Sequence, residues 1–129
     1  MFIRFISSEI DEDSHVSAGL FCAAYKLIEE AWLPEYEYYA LREPMNWFNK
    51  YLKNPYRYRL KAPRLASQSL CWFRSDAKEH LRRAWEMVAI LEDRDIFIRM
   101  IRSPYPGYIL YEDDAQVLAF PYDDIRRLL

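Results

Sequence analysis

The sequence predicts an α+β protein of two layers, in which a mainly antiparallel five-stranded sheet carries three helices on one face. Two observations lead to this class. Residues 96–121 contain three short β-branched and aromatic runs separated by two turn signals, which predicts a meander of consecutive antiparallel strands. Just before them, residues 75–93 repeat apolar side chains at helical spacing. No linker interrupts the 129 residues, so we expect a single domain over 1–129 with the order β-α-α-β-α-β-β-β.

The N-terminal part is predicted to be a strand, an acidic loop and a helix. Residues 2–6 form the strand, and residues 7–13 form a loop that carries four acids. Asp13 and Ser14 offer side-chain oxygens that can cap the first backbone N–H groups of a helix. Apolar residues then recur at helical spacing over 15–31, which predicts one buried stripe.

A second helix and a long irregular segment follow. Pro34 suits the first turn of a helix, because its missing N–H has no partner there, and apolar spacing extends this helix to about residue 53. Pro44 lies inside it at a cost of about 3 kcal/mol, so we expect a kink; two short helices are the alternative. Residues 54–68 lack periodicity, and we interpret them as a long loop or irregular excursion. We expect the overlapping residues 50–64 to carry little of the core.

A buried strand and a third helix complete the helical part. Residues 69–73 are a compact apolar run, which predicts the strand, and Ser75 is a good N-cap for the helix. The predicted core face of this helix consists of Leu81, Ala84, Trp85, Val88 and Leu91. We expect Trp85 to be a core residue whose replacement by alanine costs about 3–5 kcal/mol.

Composition excludes several classes of protein. The net charge is −2, so no basic field for nucleic acid covers the whole domain. No apolar run approaches the roughly 18 residues of a membrane helix, and the N-terminus is strand-like, unlike a signal peptide. Cys22 and Cys71 stand alone, without the spacing of a zinc site or a disulfide framework. We therefore expect a cytoplasmic protein with reduced thiols, no metal and no membrane contact.

His80 is the best single candidate for chemistry, because an imidazole can act as a general base or contact a ligand. A small-ligand or enzyme site would comprise His80, Trp72, Tyr111 and Glu112. The alternative is a hydrogen-bonded histidine at a helix–sheet boundary. Cys71 and His80 would make a nucleophile–base pair, but the apolar neighbours of Cys71 favour a buried, inert thiol. These residues do not decide whether the protein is an enzyme.

Cofactor and metal motifs are weak or missing. With only two glycines, Gly19 and Gly107, a phosphate-cradling loop is nearly excluded and no cofactor is expected. The acids of residues 9–13 supply the oxygen ligands that hard cations prefer, but their spacing is not that of an EF-hand, which favours a solvated loop. Residues 112–114 are interpreted as a hairpin turn, since aspartate tolerates turn geometry.

Residues 50–64 give the most suggestive local signal for a partner. They hold six basic residues and no acid, interleaved with tyrosines. The basic residues are Lys50, Lys53, Arg57, Arg59, Lys61 and Arg64, and the tyrosines are Tyr51, Tyr56 and Tyr58. Stacking of bases on tyrosine with arginine on phosphate is the physics of single-strand binding, which Arg57, Arg59 and Lys61 would carry. Nucleic acid is nevertheless the less favoured partner, because the chain is acidic and this segment can pair with the acids at 9–13.

Short motifs are distributed over nearly the whole chain. They are residues 2–6, Asp13-Ser14, Gly19, Ala24-Tyr25, Trp47-Phe48, Leu52, Trp72-Phe73, His80, residues 106–108, residues 111–113, Gln116-Val117, Ala119 and Pro121. In this order and spacing, the chain resembles a family of small uncharacterised bacterial proteins. The resemblance implies a bacterial cytoplasmic protein, and it implies no activity, because none is assigned to the family.

The residues support three functional hypotheses, in this order. The first is a non-enzymatic binding module that uses an aromatic-rich surface or pocket to hold a protein partner, including another copy of itself in a homodimer. The second is a small-ligand protein or enzyme with a site around His80, and the third is a single-stranded nucleic-acid contact through 50–64. A flat exposed aromatic patch would favour the first, and a cleft with His80 beside an acid would favour the second.

Overall fold

The computed structural model describes residues 1–10 and 17–129, which form one antiparallel sheet and a layer of helices. The strands are β1 (Phe2–Ile10), β2 (Ser17–Gly19), β3 (Leu70–Arg74), β4 (Ile98–Ser103), β5 (Tyr108–Glu112) and β6 (Gln116–Phe120). The helices are α1 (Leu20–Glu30), α2 (Glu35–Tyr51), α3 (Lys78–Asp93) and the short α4 (Asp123–Arg126). Two 3₁₀ turns, Pro55–Arg57 and Pro63–Gln68, lie between α2 and β3. The predicted α+β class is confirmed.

Within the described ranges, none of the helices combines the length and the apolar character that crossing a bilayer requires.

β1 pairs along both of its edges. β4 occupies one edge. Two short strands share the other edge, one after the other along β1. β3 pairs with the start of β1, where Ile3 lies opposite Phe73, and β2 pairs further along, where Ile6 lies opposite Gly19. The six strands therefore occupy five positions across the sheet. Their order is β4, then β1, then the position shared by β2 and β3, then β6 and β5. Residues 4–5 of β1 lie in the interval between the two short strands.

The meander predicted for residues 96–121 is only partly correct. All three strands are present, and β5 and β6 form an antiparallel hairpin, but β4 pairs with β1 instead of β5. The intervening turn links the two outermost strands of the sheet. Glycine is required in that turn, because Gly107 has a φ of 150° and a Cβ there would lie 2.0 Å from the carbonyl oxygen of Phe120.

The N-terminal predictions need two corrections. Residues 7–10 belong to β1 and are not a loop, while the rest of the predicted loop and the proposed cap at residues 13–14 lie outside the described residues. The first helix begins at Leu20 and not at residue 15, because residues 17–19 pair with β1. The unpaired backbone groups of an open strand edge outweigh local helical spacing here.

The boundaries of α2 and α3 differ slightly from expectation. α2 continues through Pro44, which is buried, so the alternative of two short helices is wrong. α3 begins at Lys78 after a turn, and its N-cap is Ala77, not Ser75. Both helices bury one face against the sheet, as their apolar spacing predicted.

Trp85 is 49 % exposed and is not the core residue that we predicted. The buried stripe of α3 includes Ala84, Leu91 and Met87, of which Met87 was missing from the predicted face. Trp85 is rotated about 100° around the helix from Ala84, which places it at the margin of the stripe. Its ring still meets that of Phe5 edge to face, with centroids 5.1 Å apart.

Each face of the sheet has its own core. On the helical side, Phe73 and Phe5 pack among the buried residues of α1, α2 and α3. Alternation along β3 turns Trp72 to the other face, where it packs near Val117 and Ile125. Ile125 belongs to α4, so this short C-terminal helix covers part of the face that was expected to lack helices.

Candidate functional site

His80 lies in an aromatic cluster between α3 and the end of α2. Its ring centroid is 4.8 Å from that of Trp47, and it also contacts Phe48 and Phe73. Nε2 lies 3.4 Å from the carbonyl oxygen of Tyr51. In the part of the chain that the structure describes, no acid is hydrogen-bonded to this imidazole. The contacts are those of a histidine that joins two helices at the margin of the core.

His80 does not share a cleft with Trp72, Tyr111 or Glu112. Trp72 is buried on the opposite face of the sheet from the cluster of His80. Tyr111 and Glu112 belong to β5, and the carboxylate of Glu112 accepts a hydrogen bond of 2.9 Å from Arg74. The structure therefore distributes the four predicted site residues among three separate environments.

Asp113 organises the turn between β5 and β6, in agreement with the predicted hairpin turn. Oδ1 accepts from the backbone N–H groups of Ala115 at 2.9 Å and Gln116 at 3.0 Å, and Oδ2 accepts from the hydroxyl of Tyr111 at 2.7 Å. Burial raises the pKa of this carboxyl, but the hydrogen bonds from Tyr111, Ala115 and Gln116 outweigh it and hold the pKa below its ordinary value. Burial and the bond to Asp113 raise the pKa of Tyr111, which keeps its hydroxyl a donor.

Cys71 is not activated as a nucleophile. Burial raises the pKa of its thiol to about 11, and the nearby guanidinium of Arg4 offsets this only in part. The thiolate is the reactive form of cysteine, so a thiol with a raised pKa is inert near neutral pH. These properties favour the buried-thiol interpretation of Cys71 over a catalytic pair with His80.

Residues 50–64, which we call the cationic segment, are held against the sheet. The carbonyl of Lys53 accepts a hydrogen bond of 2.6 Å from the side-chain amide of Gln116. Ala62 is buried beside Leu110 of β5. The expectation that this segment carries little of the core is therefore wrong, although its two 3₁₀ turns agree with an irregular segment.

The six basic side chains of the cationic segment are all exposed. None of them forms an ion pair with an acid of the described residues. Tyr51 and Tyr58 each contact one lysine and one other aromatic ring, which leaves less open ring surface for a stacked base. The cationic segment thus concentrates positive charge, and its Tyr51 and Tyr58 rings already contact other side chains.

Three large aromatic side chains are exposed at the other end of the helical layer. Trp32 is 83 % exposed between α1 and α2, Tyr36 is 73 % exposed in the first turn of α2, and Tyr39 is 61 % exposed one turn later. An ion pair between Arg94 and Glu37 joins the end of α3 to the start of α2. We call this region the aromatic end.

Acids are concentrated at the adjoining ends of α1, α2 and α3. They are Glu29, Glu30, Glu35, Glu37, Glu92, Asp93 and Asp95. Four of the seven occupy the last turns of α1 and α3, where neither helix has a basic residue. Helix C-termini carry partial negative charge, so an exposed acid there costs about 0.3–1 kcal/mol. Helix stability therefore does not explain why acids occupy these positions.

The aromatic end and the cationic segment lie at opposite ends of α2. The helix has 17 residues, so its ends are about 25 Å apart. The chain has 18 basic and 20 acidic residues. Outside the cationic segment, 12 basic residues remain against 20 acids, which is a charge of −8. The cationic segment is therefore a local positive charge on a chain that is otherwise strongly acidic.

Metal ligands are not grouped in the described chain. Within residues 1–10 and 17–129, no three histidines, cysteines or acids come together in a way that could hold a metal ion. The acids at 11–13, which were considered as cation ligands, lie outside the described residues.

Fold and surface together define an α+β protein with one acidic, aromatic end and one cationic segment. No family model, curated protein or solved structure matches this chain significantly. The resemblance to a bacterial family stays a prediction, and function has to be argued from the surfaces themselves.

Proposed function

We propose that this protein is a non-enzymatic interaction module whose aromatic end binds a cationic surface on a protein partner. The observation that carries the proposal is the exposure of Trp32, Tyr36 and Tyr39 beside seven acids. Single exposed apolar residues are ordinary, but tryptophan and tyrosine are enriched at interfaces, where a few such residues provide most of the binding free energy. Three of them at one end of a helical layer favour an interface.

The charge of the partner follows from the positions of the acids. Acids in the last turns of α1 and α3 are repelled by the helix dipoles, and a cationic partner relieves this repulsion. The cationic segment of a second copy offers six exposed basic side chains. A second copy is therefore the partner that the chain's own charge distribution supports. Because the two surfaces differ, such a contact is head to tail.

A non-enzymatic role is supported by the two residues with catalytic chemistry. Burial raises the pKa of the Cys71 thiol to about 11, which leaves little thiolate near neutral pH. The ring of His80 is engaged by aromatic side chains and the carbonyl of Tyr51. A general base also needs a reactive partner within reach, and no acid is bonded to this ring in the described chain.

Single-stranded nucleic acid is the weaker candidate for the cationic segment. Tyr51 and Tyr58 already contact other rings, and the remainder of the chain carries a charge that repels phosphate. We expect a short single-stranded oligonucleotide not to bind at physiological salt. Binding in the micromolar range that is abolished by the triple change Arg57→Ala, Arg59→Ala and Lys61→Ala would favour the nucleic-acid function instead.

Sedimentation velocity from micromolar to millimolar concentration tests the proposal. We expect self-association at low ionic strength that weakens as salt is raised, because the contact joins opposite charges. The double variant Trp32→Ala, Tyr36→Ala should remain monomeric, and so should the triple variant of the cationic segment. A control triple variant, Lys78→Ala, Arg102→Ala and Arg127→Ala, removes the same charge from exposed positions elsewhere and should still associate.

Mixing the two monomeric variants is a more specific test of the head-to-tail contact than studying each variant alone. One keeps an intact cationic segment and the other keeps an intact aromatic end, so an equimolar mixture should form a heterodimer and stop there. A parent that stays monomeric at millimolar concentration, and that also fails to bind a poly-arginine peptide, would contradict the proposal. Binding of that peptide by a monomeric parent would retain the function and assign the partner to another protein.

A further inference from the structure

β4 forms an outer edge of the sheet, and its outward side pairs with no other strand of the described chain. All of its residues, Ile98–Ser103, pair with β1 without a register shift, so the strand is regular along its whole length. In an antiparallel pair, alternate residues direct their N–H and carbonyl groups away from the partner strand. β4 therefore presents a regular row of backbone donors and acceptors on its outward side.

The opposite edge of the sheet is covered. β5 is the last strand on that side, and the carbonyl of Leu110 accepts a hydrogen bond of 3.1 Å from the backbone N–H of Lys61. Ala62 is buried beside Leu110, so the cationic segment shields β5. Proteins cover, shorten or bend their edge strands, because an open edge can pair with another chain. β4 is neither shortened nor bulged, and within the described residues only β1 pairs with its backbone.

Two exposed arginines lie on opposite faces of this edge. Ile101 packs in the core near α4, and Met100 packs against the core of the helical side. Alternation along the strand therefore places Arg99 on the face of α4 and Arg102 on the helical face. Arg99 donates to the carbonyl of Leu128, and neither arginine forms an ion pair with a described acid. β4 itself contains no acid, so the edge is positively charged.

The two arginines decide which kind of strand this edge accepts. If β4 of a second copy paired here, the arginines of both copies would lie on adjacent strands, and like charges on paired strands are destabilising. A strand with acids opposite Arg99 and Arg102 would instead gain two pairs of opposite charge. Because the arginines are three positions apart in the sequence, the two acids of the added strand must also be three positions apart.

An exposed aromatic ring and an open cavity mark the start of this edge. Phe97 directly precedes β4 and is 71 % exposed. It lines a cavity of about 340 Å³ together with Arg99 of β4 and with Ile6 and Ser8 of β1. An added antiparallel strand would bring the residue opposite Phe97 to this cavity, two positions after the acid opposite Arg99. An apolar side chain at that position would pack on the exposed ring.

We infer that β4 binds an extended acidic segment of a partner protein by antiparallel strand addition. The segment carries two acids three positions apart, followed two positions later by an apolar residue. Hydrogen bonds between the backbones supply affinity in this mode of binding, and the side chains supply specificity. This edge uses none of the residues of the aromatic end or of the cationic segment, so the inference is independent of the proposed self-association.

Titration of the ¹⁵N-labelled full chain with short peptides tests the inference. The first probe is the acetylated and amidated peptide Glu-Val-Thr-Glu-Val-Leu, which has the required spacing. We expect it to shift the amide signals of β4 and of Phe97. The analogue with both glutamates changed to glutamine should bind at least about threefold more weakly, because it lacks both charged pairs. The peptide Val-Thr-Glu-Glu-Leu-Val, of the same composition and charge, should also bind more weakly, because its glutamates are adjacent.

Methylation of the peptide backbone distinguishes strand addition from simple attraction of charge. Only alternate N–H groups of an added antiparallel strand face β4. Of two peptides that are N-methylated at opposite alternate sets of positions, we therefore expect one to lose binding and the other to retain it. Methylation leaves the charge of both peptides unchanged.

Variants of the two arginines identify the edge that binds. Arg99→Gln and Arg102→Gln should each weaken binding of the first peptide by about twofold to fivefold, and should leave binding of the glutamine analogue unchanged. Arg64→Gln, at an exposed position of the cationic segment, is the matched control and should change neither.

Three results would overturn the inference. One is equal binding of the two N-methylated peptides, which would indicate attraction of charge without pairing of strands. Another is a set of shifts confined to residues 50–64, which would mean that an acidic peptide binds the cationic segment instead. The third is the absence of any shift at millimolar concentration of the first peptide.

Discussion

The side-chain amide of Gln116 donates a hydrogen bond of 2.6 Å to the backbone carbonyl of Lys53. This bond joins β6 to the cationic segment, which lies 63 residues earlier in the chain. The same amide lies 3.3 Å from Oδ2 of Asp113. One buried side chain thus connects the segment, the strand and the β5–β6 turn, and it holds the cationic segment in register with the sheet.

Replacing this amide should destabilise the protein. We expect Gln116→Leu to lower the free energy of unfolding by about 1–3 kcal/mol, since it removes both hydrogen bonds at nearly constant volume. Denaturant titration measures the change. Gln68→Leu, at an exposed position, is the control and should stay within about 0.5 kcal/mol of the parent. Equal effects of the two substitutions would show that the amide does not hold the segment.

The carboxyl of Asp113 should contribute to acid stability. Its pKa is lower in the folded state than in the unfolded chain, so its contribution is fully present above the ordinary pKa of about 4 and is lost as pH falls through the lowered value. We expect Asp113→Asn to reduce stability at neutral pH and to flatten the fall in stability below pH 4. Denaturant titrations at several pH values measure this. Asp114→Asn, on an exposed neighbour, should preserve the parent profile.

The different burial of Met87 and Trp85 on α3 predicts different losses of stability. Met87 is fully buried, so Met87→Ala should cost about 2–5 kcal/mol. Trp85 buries only about half of its surface, so Trp85→Ala should cost less, about 1–2 kcal/mol. Thermal melting of the two variants side by side measures the difference. A larger loss for Trp85→Ala would restore the core role that helical spacing assigned to it.

The two cysteines should differ in reactivity. Cys22 is exposed, whereas the thiol of Cys71 has a pKa of about 11, so only about 0.1 % of it is thiolate at pH 8. We expect one thiol to react rapidly with a disulfide reagent and the second to react only on unfolding. Cys22→Ser should abolish the fast phase, and Cys71→Ser should leave it intact. A fast phase that survives in Cys22→Ser would show that Cys71 is accessible and activated.

Local pattern determined the three long helices of this protein, most of its strands and their order. The spacing of apolar residues predicted these helices, and the turn signals around Gly107 and Asp113 predicted the strands that flank those turns. Such predictions succeed because helical and strand periodicity depend on neighbours in sequence. Glycine at 107 and aspartate at 113 also act locally, through backbone conformation and through hydrogen bonds to adjacent residues.

Tertiary structure alone decided the pairing of the strands and the position of the proposed interface. β1 offers two long edges, so β4 pairs with it and not with β5, and residues 17–19 become a strand. Arg4 and Gly19 meet only because two short strands share one of those edges. Glu37 and Arg94 meet because helices separated in sequence pack together. These contacts join distant residues, and no local period in a sequence encodes which distant backbone edge or helix face a segment will meet.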